Sequence, residues 1–326
     1  MSSILSEVKY AELLNQLYRK SFLYFIARKP LIIVLFIGVV GSGLWWFGSG
    51  KQINHPHLEV LAGDPIKGLY IFRAAGCATC HVSPQNPNQR ILAGGQAFES
   101  EFGTFYAPNV SMSKTFGIGN WSVSDFANAL REGVSPKNEH YYPAFPYTSY
   151  RLISDQDLVD LWSFWKTLPA VETASLPHDI PWPLSVRSSL AFWKLINFKT
   201  DWVKTEVDER GRYLVEVLGH CAECHTPRNV LGGLKRNSWM AGTTADNGKV
   251  LIPGISPEHL NWTENEIVEY LTTGFTPEFD VAGGKMAKVI ENTSKFWRHD
   301  LKAIARYLRQ SKIKVNPPLS KGLPIK

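Results

Sequence analysis

The placement of the cysteines constrains this chain more than any other feature of its sequence. The 326-residue sequence has four cysteines, and all of them lie in two five-residue motifs, CATCH at residues 77–81 and CAECH at residues 221–225. Residues three apart share one face of a helical turn, so each motif presents two thiols together, and a histidine follows directly. A zinc site, a redox dithiol or disulfide bonds would also use paired cysteines, but none of them requires that histidine.

Covalent attachment of haem explains both the thiol spacing and the adjoining histidine. Each thiol can form a thioether to a vinyl group of the porphyrin, and the histidine is then placed to bind the iron. Because the two motifs use every cysteine, the sequence predicts two covalently bound haem c groups. The predicted attachment residues are Cys77, Cys80, Cys221 and Cys224, and the predicted proximal iron ligands are His81 and His225.

The chain also repeats itself. KGLYIFRAAGCATCH (67–81) matches RGRYLVEVLGHCAECH (210–225) with one added residue, and NWSVSDFANALREGVSP (120–136) matches NWTENEIVEYLTTGFTP (261–277) without a gap, at an offset of 141 residues. A third match joins residues 154–168 to residues 297–311, both amphipathic with a helical period. Each half therefore has a helix leading into the cysteine motif, a middle helix begun by Asn-Trp-Ser/Thr and a final helix. This order resembles class I cytochrome c domains, which implies an all-α fold with two such domains in tandem.

The repeat predicts unequal distal ligands for the two irons. In class I cytochromes c the distal ligand, usually Met, precedes the final helix, and the second half has Met286 at that place in GGKMAKVI. A buried Met that only fills a gap is the alternative. The 141-residue offset carries Met286 back to Phe145, which has no donor atom for iron. The first iron is then ligated by His140, five residues earlier, or by Met112, which lies in a four-residue insertion that could reach over a haem, or it is five-coordinate under the Phe145 ring. His140 could equally be an ordinary surface residue of its loop.

Other residues are candidates for supporting roles. Pro84 and Pro227 follow the two motifs closely, and loops of this kind often present a main-chain carbonyl to the free ring nitrogen of the histidine. Asn109 and Arg228 are either contacts of the haem propionates or ordinary surface residues. Met240 aligns with Leu92 and is predicted to lie in the core.

An apolar segment near the N-terminus predicts a membrane anchor. Residues 31–48, LIIVLFIGVVGSGLWWFG, contain no charge and would span about 27 Å as a helix, which is roughly the thickness of the hydrocarbon core of a bilayer. Arg28 and Lys29 precede it, and Trp45 and Trp46 stand where interfacial aromatic residues are expected. A retained transmembrane helix, rather than a cleaved signal peptide, is the prediction. It implies a single-pass protein of the bacterial inner membrane with both haem domains in the periplasm.

The predicted organisation has six segments. The formal charge of +6 is concentrated near the N-terminus and in the tail, a distribution that fits membrane orientation and a solvated tail better than nucleic-acid binding. The segments are a cytoplasmic segment (1–30), the anchor (31–48), haem domain 1 (60–170), a connector (171–205), haem domain 2 (206–312) and a basic tail (313–326).

From about residue 60 to 312 the chain resembles the membrane-associated cytochrome c subunits of bacterial alcohol, gluconate and related dehydrogenases. The motifs that carry the resemblance are LAGGQAFESEFGTFYAPN, GIGNWSVSDFANALREGV, YYPAFPYTSYRLISDQDL, LGHCAECHTPRNVLGG and GGKMAKVI. The family usually has Met at the position of Phe145, and it commonly carries three haems and a cleaved signal. The resemblance implies tandem haem domains that pass substrate electrons to ubiquinone or onward.

The leading hypothesis is therefore electron transfer from a dehydrogenase or a quinol-linked donor to a respiratory acceptor, such as a soluble cytochrome or a terminal oxidase. The alternative is a haem enzyme whose open first iron acts on a small molecule of the peroxide or thiosulfate type. Its candidate acid–base residues are Glu139, Tyr141 and Tyr142. A fixed subunit of a larger complex is a third possibility, which differs from the first in partners and not in chemistry.

Overall fold

The computed structural model describes residues 43, 48–198, 209–245 and 250–310. The chain divides into two compact units, residues 1–49 and residues 50–326. The predicted cytoplasmic segment and the predicted basic tail lie outside the described residues, as does the predicted anchor except for residues 43 and 48. All the elements named below belong to the second unit.

The first half of this unit consists of short helices and one β-hairpin. In chain order its elements are α1 (Pro56–Glu59), α2 (Pro65–Ala74), α3 (Cys77–His81), β1 (Ala97–Ser100), β2 (Gly103–Tyr106), α4 (Val123–Ala127) with a π-helical turn at Asn128–Glu132, α5 (Tyr147–Tyr150) and α6 (Asp155–Trp165). A 3-10 turn (Arg187–Ser189) and helix α7 (Leu190–Asn197) follow within the predicted connector.

The second half repeats this order of elements. They are α8 (Glu209–Arg212) with a π-helical turn at Tyr213–Leu218, α9 (Ala222–His225), a 3-10 turn (Arg236–Ser238), β3 (Thr243–Ala245), β4 (Val250–Ile252), α10 (Glu264–Thr273), α11 (Gly284–Thr293) and α12 (Arg298–Gln310). Leu92 and Met240 are both fully buried, which confirms the prediction that Met240 is a core residue.

The two middle helices begin where their Asn-Trp-Ser/Thr sequences predict. At α4 the Ser122 hydroxyl accepts from Asp125 N and the Asp125 carboxylate accepts from Ser122 N, which is a capping box. Thr263 and Glu266 form the same pair at α10. Each pair provides partners for main-chain N–H groups that the first helical turn leaves unbonded. The acidic residue in the first turn thus has a local structural role in both halves.

The predicted all-α fold with a transmembrane helix is wrong. The structure mixes helices with two antiparallel hairpins, in which β1 pairs with β2 and β3 with β4. Within the described ranges, every helix is too short or too polar to cross a bilayer. The strands are only three or four residues long, and the side chains of β1 are mostly exposed, so they have no alternation of apolar and polar residues that would reveal them in the sequence.

The connector packs on both halves. Asp179 adds a third extended segment beside β2, since Thr104 N donates to Asp179 O (2.8 Å) and Asp179 N donates to Thr104 O (2.9 Å). Further along, Trp193 Nε1 donates to the Leu231 carbonyl of the second half (2.7 Å). One cluster of buried apolar side chains includes residues of both halves. The proposed boundaries of the haem domains and the connector stay predictions.

Candidate haem centres

The first cysteine motif forms the short helix α3. Gly76 joins α2 to α3 in the left-handed region (φ 61°), where a residue with a Cβ is disfavoured. His81 ends this helix, and its Nδ1 lies 3.0 Å from the Pro108 carbonyl oxygen. A carbonyl only accepts, so Nδ1 carries the proton and donates it in this bond. The Nε2 atom of His81 is then the unprotonated nitrogen, which is the form that binds a metal.

The second motif has the same arrangement. His225 Nδ1 donates to the Pro253 carbonyl oxygen at 2.7 Å, which leaves its Nε2 as the ligating atom. Burial lowers the pKa of both histidines, and the hydrogen bond to the proline carbonyl opposes this only in part. Each ring is therefore held in one orientation as a neutral imidazole.

The carbonyls that orient the histidines come from prolines beyond the two hairpins. Pro108 follows β2 and Pro253 follows β4, at 27 and 28 residues from the histidines they bind. The prediction that Pro84 and Pro227 mark these carbonyls was wrong. A signal was present in the sequence, because the internal repeat aligns APNVS with IPGIS.

Two glycines hold the main chain of the histidines. Gly94 N donates to His81 O and Gly242 N donates to His225 O, both at 2.8 Å. Both glycines have left-handed φ angles, 72° and 87°. A Cβ on Gly94 would lie 2.4 Å from the Ala107 carbonyl oxygen, so this close approach of two main-chain segments requires glycine.

The chemistry of the cysteines fits thioether formation better than the alternatives. The four cysteines form no disulfide bond with one another. Burial raises the pKa of Cys80 to about 11 and that of Cys221 to about 12. A redox dithiol needs a lowered pKa. Across the described residues, no three His, Cys, Asp or Glu side chains converge as a metal site, which disfavours zinc bound by both pairs. The residues present therefore fit haem c, with the cysteines as covalent attachments and the two Nε2 atoms as iron ligands.

Met286 lies in the first turn of α11, half-buried against the core. Its neighbour Lys285 lies within electrostatic reach of both motifs, because the Lys285 charge opposes the rise in the pKa of both Cys80 and Cys224 that burial causes. The start of α11 is thus close to both motifs. Ligation of the second iron by Met286 stays a prediction.

Phe145 lies in a group of aromatic rings. The ring centroids of Tyr141 and Tyr150 are each 5.9 Å from that of Phe145, and the Tyr147 centroid is at 6.3 Å. Tyr150 OH donates to the Ala75 carbonyl (2.7 Å), two residues before the first motif. The group therefore adjoins the first motif and presents apolar rings where the second half has Met286.

His140 is a buried residue, contrary to its interpretation as an ordinary surface histidine. Its Nδ1 is 2.9 Å from Lys194 Nζ of helix α7, so Nδ1 accepts and Nε2 carries the proton in that pair. Burial, followed by the Lys194 charge, lowers the pKa of His140 to about 4. The Nε2 atom is buried without a hydrogen-bond partner among the described residues. Ligation of the first iron by His140 stays a prediction. It requires a different partner for Lys194, because ligation through Nε2 places the proton on Nδ1 and ligation through Nδ1 occupies that atom.

The two motifs are neighbours, which the sequence did not reveal. Burial raises the pKa of Cys80, and the charge of Cys224 raises it further, so the two thiols are within electrostatic reach of each other. Asn292 Nδ2 of α11 donates to Thr79 Oγ1 inside CATCH (3.1 Å), and Thr148 Oγ1 of α5 donates to Glu223 Oε1 inside CAECH (2.9 Å). Each motif thus contacts a helix of the other half.

Two tyrosines join the halves reciprocally. Tyr70 OH of α2 donates to Asp300 Oδ2 of α12, and Tyr213 OH of the second half donates to Asp157 Oδ2 of α6 (2.6 Å). The internal repeat aligns Tyr70 with Tyr213 and Asp157 with Asp300. Arg210 strengthens one of the two contacts by donating from Nε (2.9 Å) and Nη2 (2.7 Å) to the Asp300 carboxylate. The aligned residue of the first half is Lys67.

The two candidates for haem propionate contacts have structural partners. Asn109 is buried and donates from Nδ2 to the carbonyls of Val171 (2.8 Å) and Thr173 (2.7 Å), which holds the start of the connector. Arg228 Nη2 forms an ion pair with Glu223 Oε2 at 2.7 Å. Because Glu223 also accepts from Thr148, this pair supports the contact between the halves.

Comparison with known proteins agrees with the haem chemistry of the motifs. No family model matches the chain. It is 45% identical to a "Diheme cytochrome c-type" protein of Cereibacter sphaeroides over 86% of its own length and 96% of that protein. It is 36% identical to the fructose dehydrogenase cytochrome subunit of Gluconobacter japonicus and 35% identical to the gluconate 2-dehydrogenase cytochrome c subunit of Pantoea cypripedii, over 74% of its length in both cases.

The coverage of these relatives differs widely. The chain spans nearly all of the Cereibacter protein but 51% of the fructose dehydrogenase subunit and 58% of the gluconate 2-dehydrogenase subunit. The resemblance to cytochrome c subunits of bacterial dehydrogenases is confirmed. The chain belongs to the diheme c-type cytochromes and carries two covalently bound haem c groups.

Proposed function

We propose that this chain is a periplasmic electron-transfer protein that takes electrons from a dehydrogenase or a quinol-linked donor and passes them to a respiratory acceptor. The observation that carries the proposal is the contact of each cysteine motif with the opposite half, through Thr79–Asn292 and Glu223–Thr148. Electron transfer between two haem centres requires a short separation, and two centres held in one chain reach it without a diffusional encounter. A shared interface between the two motifs meets that requirement within one chain.

The protein's own residues fix the geometry of both centres. The hydrogen bonds to Pro108 and Pro253 hold the two imidazoles in one tautomer and orientation. The reciprocal Tyr–Asp bonds hold the halves together, and the buried cluster common to both excludes water from between them. Bound haem supplies the one-electron redox chemistry at these positions. A rigid environment of this kind keeps the reorganisation energy small when an electron moves between the centres.

The difference between Met286 and Phe145 sets the direction of electron flow between the two haem centres. A thioether ligand raises the reduction potential of a haem iron, and a phenyl ring provides no ligand. The second half is therefore the centre of higher potential, so electrons enter at the first half and leave from the second. Reduction midpoints in the opposite order would contradict this direction.

The names of the relatives support a dehydrogenase as donor, since two of them are cytochrome subunits of fructose and gluconate dehydrogenases. Periplasmic location is part of the same proposal and follows the sequence prediction for the haem domains. Acceptors of suitable chemistry are a soluble cytochrome or a terminal oxidase, and a quinol-linked complex is the alternative donor. Whether the chain acts as a fixed subunit or as a diffusing carrier is decided by co-purification with the dehydrogenase.

The alternative function, catalysis on a small molecule at the first iron, has weaker support. Among its candidate acid–base residues, burial raises the pKa of Tyr141 and Tyr142 away from neutrality, and Tyr142 OH donates to the Leu184 carbonyl (3.2 Å). Glu139 is exposed on the loop surface. These residues do not form an acid–base pair of the kind that general acid–base catalysis needs at neutral pH.

One set of measurements on the purified holoprotein tests the proposal. Mass spectrometry should find two haem groups on the chain, and a redox titration should give two midpoints with the Met286 centre higher. When the reduced protein is exposed to carbon monoxide, the second iron should not bind it, whereas the first iron can. Turnover of peroxide or thiosulfate at enzymatic rates would favour the alternative function, whereas fast reduction by a dehydrogenase without such turnover supports electron transfer.

A further inference from the structure

The loops that precede the two distal positions have the same main-chain conformation. They are residues 133–141 in the first half and residues 274–282 in the second. Each contains two left-handed residues at matching places, Gly133 (φ 59°) and Asn138 (φ 60°) in the first loop and Gly274 (φ 83°) and Phe279 (φ 64°) in the second. The same hydrogen bond closes both loops at 2.8 Å. Its donor and acceptor are Tyr141 N and Gly133 O in one, and Ala282 N and Gly274 O in the other.

The exposure of the two loops is very different. Val134 and His140 face each other across the first loop and are 3% and 7% exposed. Phe275 and Val281 occupy the same positions in the second loop and are 55% and 59% exposed. Phe279 at its tip is 92% exposed. The second loop therefore presents three apolar side chains to solvent at positions where the first loop is covered or polar.

The connector contacts the first loop on one side, and its hydrogen bonds show which chemistry suits a loop of this conformation. Arg187 Nη1 donates to the His140 carbonyl (3.0 Å). Lys194 Nζ donates to the carbonyls of Glu132 (2.5 Å) and Gly133 (3.0 Å). The connector thus places basic side chains on the carbonyls in and just before the loop.

The charge of the second loop favours a basic partner more strongly than that of the first. Glu278 and Asp280 are exposed beside Phe279 and give the second loop a formal charge of −2. In the first loop Lys137 and Glu139 cancel. An anionic lipid surface would be repelled by the acidic loop, whereas a protein surface rich in Lys or Arg would be attracted.

We propose that the outer face of residues 275–281 docks a partner protein that presents Lys or Arg side chains around an apolar contact. The loop leads directly into α11, which carries Met286, so a partner bound here lies beside the second haem centre. The inference rests on the proposed electron-transfer function and adds the exit surface and the chemistry of the acceptor that fits it. Acidic side chains set the encounter rate, and the three apolar residues supply the contact area.

The first loop provides the variant that tests this. Glu278→Lys with Phe279→Asn copies Lys137 and Asn138 into the second loop, and Asn tolerates the left-handed conformation better than Phe does. The probes are a lysine-rich soluble cytochrome c and the neutral small oxidant p-benzoquinone. At low ionic strength the variant should reduce the cytochrome at least tenfold more slowly than wild type. Its rate with p-benzoquinone and its haem spectra should not change.

Val230→Asn is the matched control, because Val230 is an equally exposed apolar residue (91%) outside the loop, and its rates should equal those of wild type. A loop variant that reduces the lysine-rich cytochrome at the wild-type rate would overturn the docking surface. The proposal would also be overturned if wild type bound phosphatidylglycerol vesicles and the loop variant did not, while the two proteins reduced the cytochrome at the same rate. If wild type reduces neither probe, the proposed function itself fails.

Discussion

Replacing Asp300 with Asn should weaken the contact between the halves more than any comparable substitution. The Asp300 carboxylate is fully buried and accepts from Arg210 Nε, Arg210 Nη2 and Tyr70 OH. Asparagine keeps one acceptor oxygen and turns an N–H donor toward the guanidinium. With its oxygen at the Oδ2 position, asparagine keeps the bonds from Tyr70 OH and Arg210 Nη2 and loses the bond from Arg210 Nε, which is left facing an N–H donor.

The structure sets the size of the effect. Breaking a buried ion pair by removing one partner costs about 3–5 kcal/mol. Arg210 is partly exposed and regains water, so the cost should fall at or below the bottom of this range, and we expect about 2–3 kcal/mol of lost stability. Asp157→Asn is the matched control, because half-buried Asp157 accepts the aligned Tyr213 hydroxyl without a bidentate arginine. Its expected cost is about 1 kcal/mol.

The effect of Asp300→Asn should also depend on pH. Burial alone would raise the pKa of Asp300, but the bonds from Arg210 and Tyr70 and the Arg210 charge lower it below its ordinary value. An acid with a lowered pKa adds stability above its unfolded pKa, about 3.9, and that contribution is lost as pH falls through the folded pKa. The difference between wild type and variant should therefore be constant near pH 7 and shrink below about pH 4.

Urea unfolding of the oxidised holoprotein, followed by circular dichroism, measures both effects. Equal shifts of the midpoint for Asp300→Asn and Asp157→Asn would refute the reasoning, because they would show that the arginine adds nothing to the buried carboxylate. A difference from wild type that persists unchanged at pH 3 would refute the pH argument.

Three further outcomes are expected. Burial raises the pKa of Glu216 to about 7, so the stability that the protonated side chain contributes is present at pH 4 and is lost as pH rises through 7. In urea unfolding, wild type should therefore lose about 2 kcal/mol relative to Glu216→Gln between pH 5 and 8. Parallel curves of stability against pH for the two proteins would contradict this. Lys194→Met removes two bonds to main-chain carbonyls and one to His140, which should cost about 1–3 kcal/mol of stability. It should also raise the pKa of His140, measured by NMR, because the lysine charge is removed. An unchanged His140 pKa would show that the lysine does not face it. Phe145→Met should alter the absorption and EPR signals of one haem only, and two altered signals would place Phe145 elsewhere.

The parts of the molecule that are local in sequence were predictable, and those that depend on distant residues were not. The cysteine motifs and the caps at Ser122 and Thr263 involve residues within four positions of each other. The carbonyl of Pro108 reaches His81 only because a hairpin of short exposed strands lies between them. His140 bonds a lysine 54 residues away, on a connector whose sequence shows apolar content but not its path.

The contact between the halves was hidden for a similar reason. Tyr70 and Asp300 are 230 residues apart, and neither residue type signals an interface. The repeat aligned both residues with Tyr213 and Asp157, yet alignment shows that positions correspond and not that they touch.

The reciprocal Tyr–Asp bonds give one polypeptide the kind of interface that a twofold homodimer has, in which every contact occurs twice. In a dimer of identical subunits, any substitution changes both copies of a contact at once. Fusion into one chain removes that restriction. Arg210 opposite Lys67 and Met286 opposite Phe145 are differences that only such a chain can hold, and they give each half its own chemistry while the interface stays common to both.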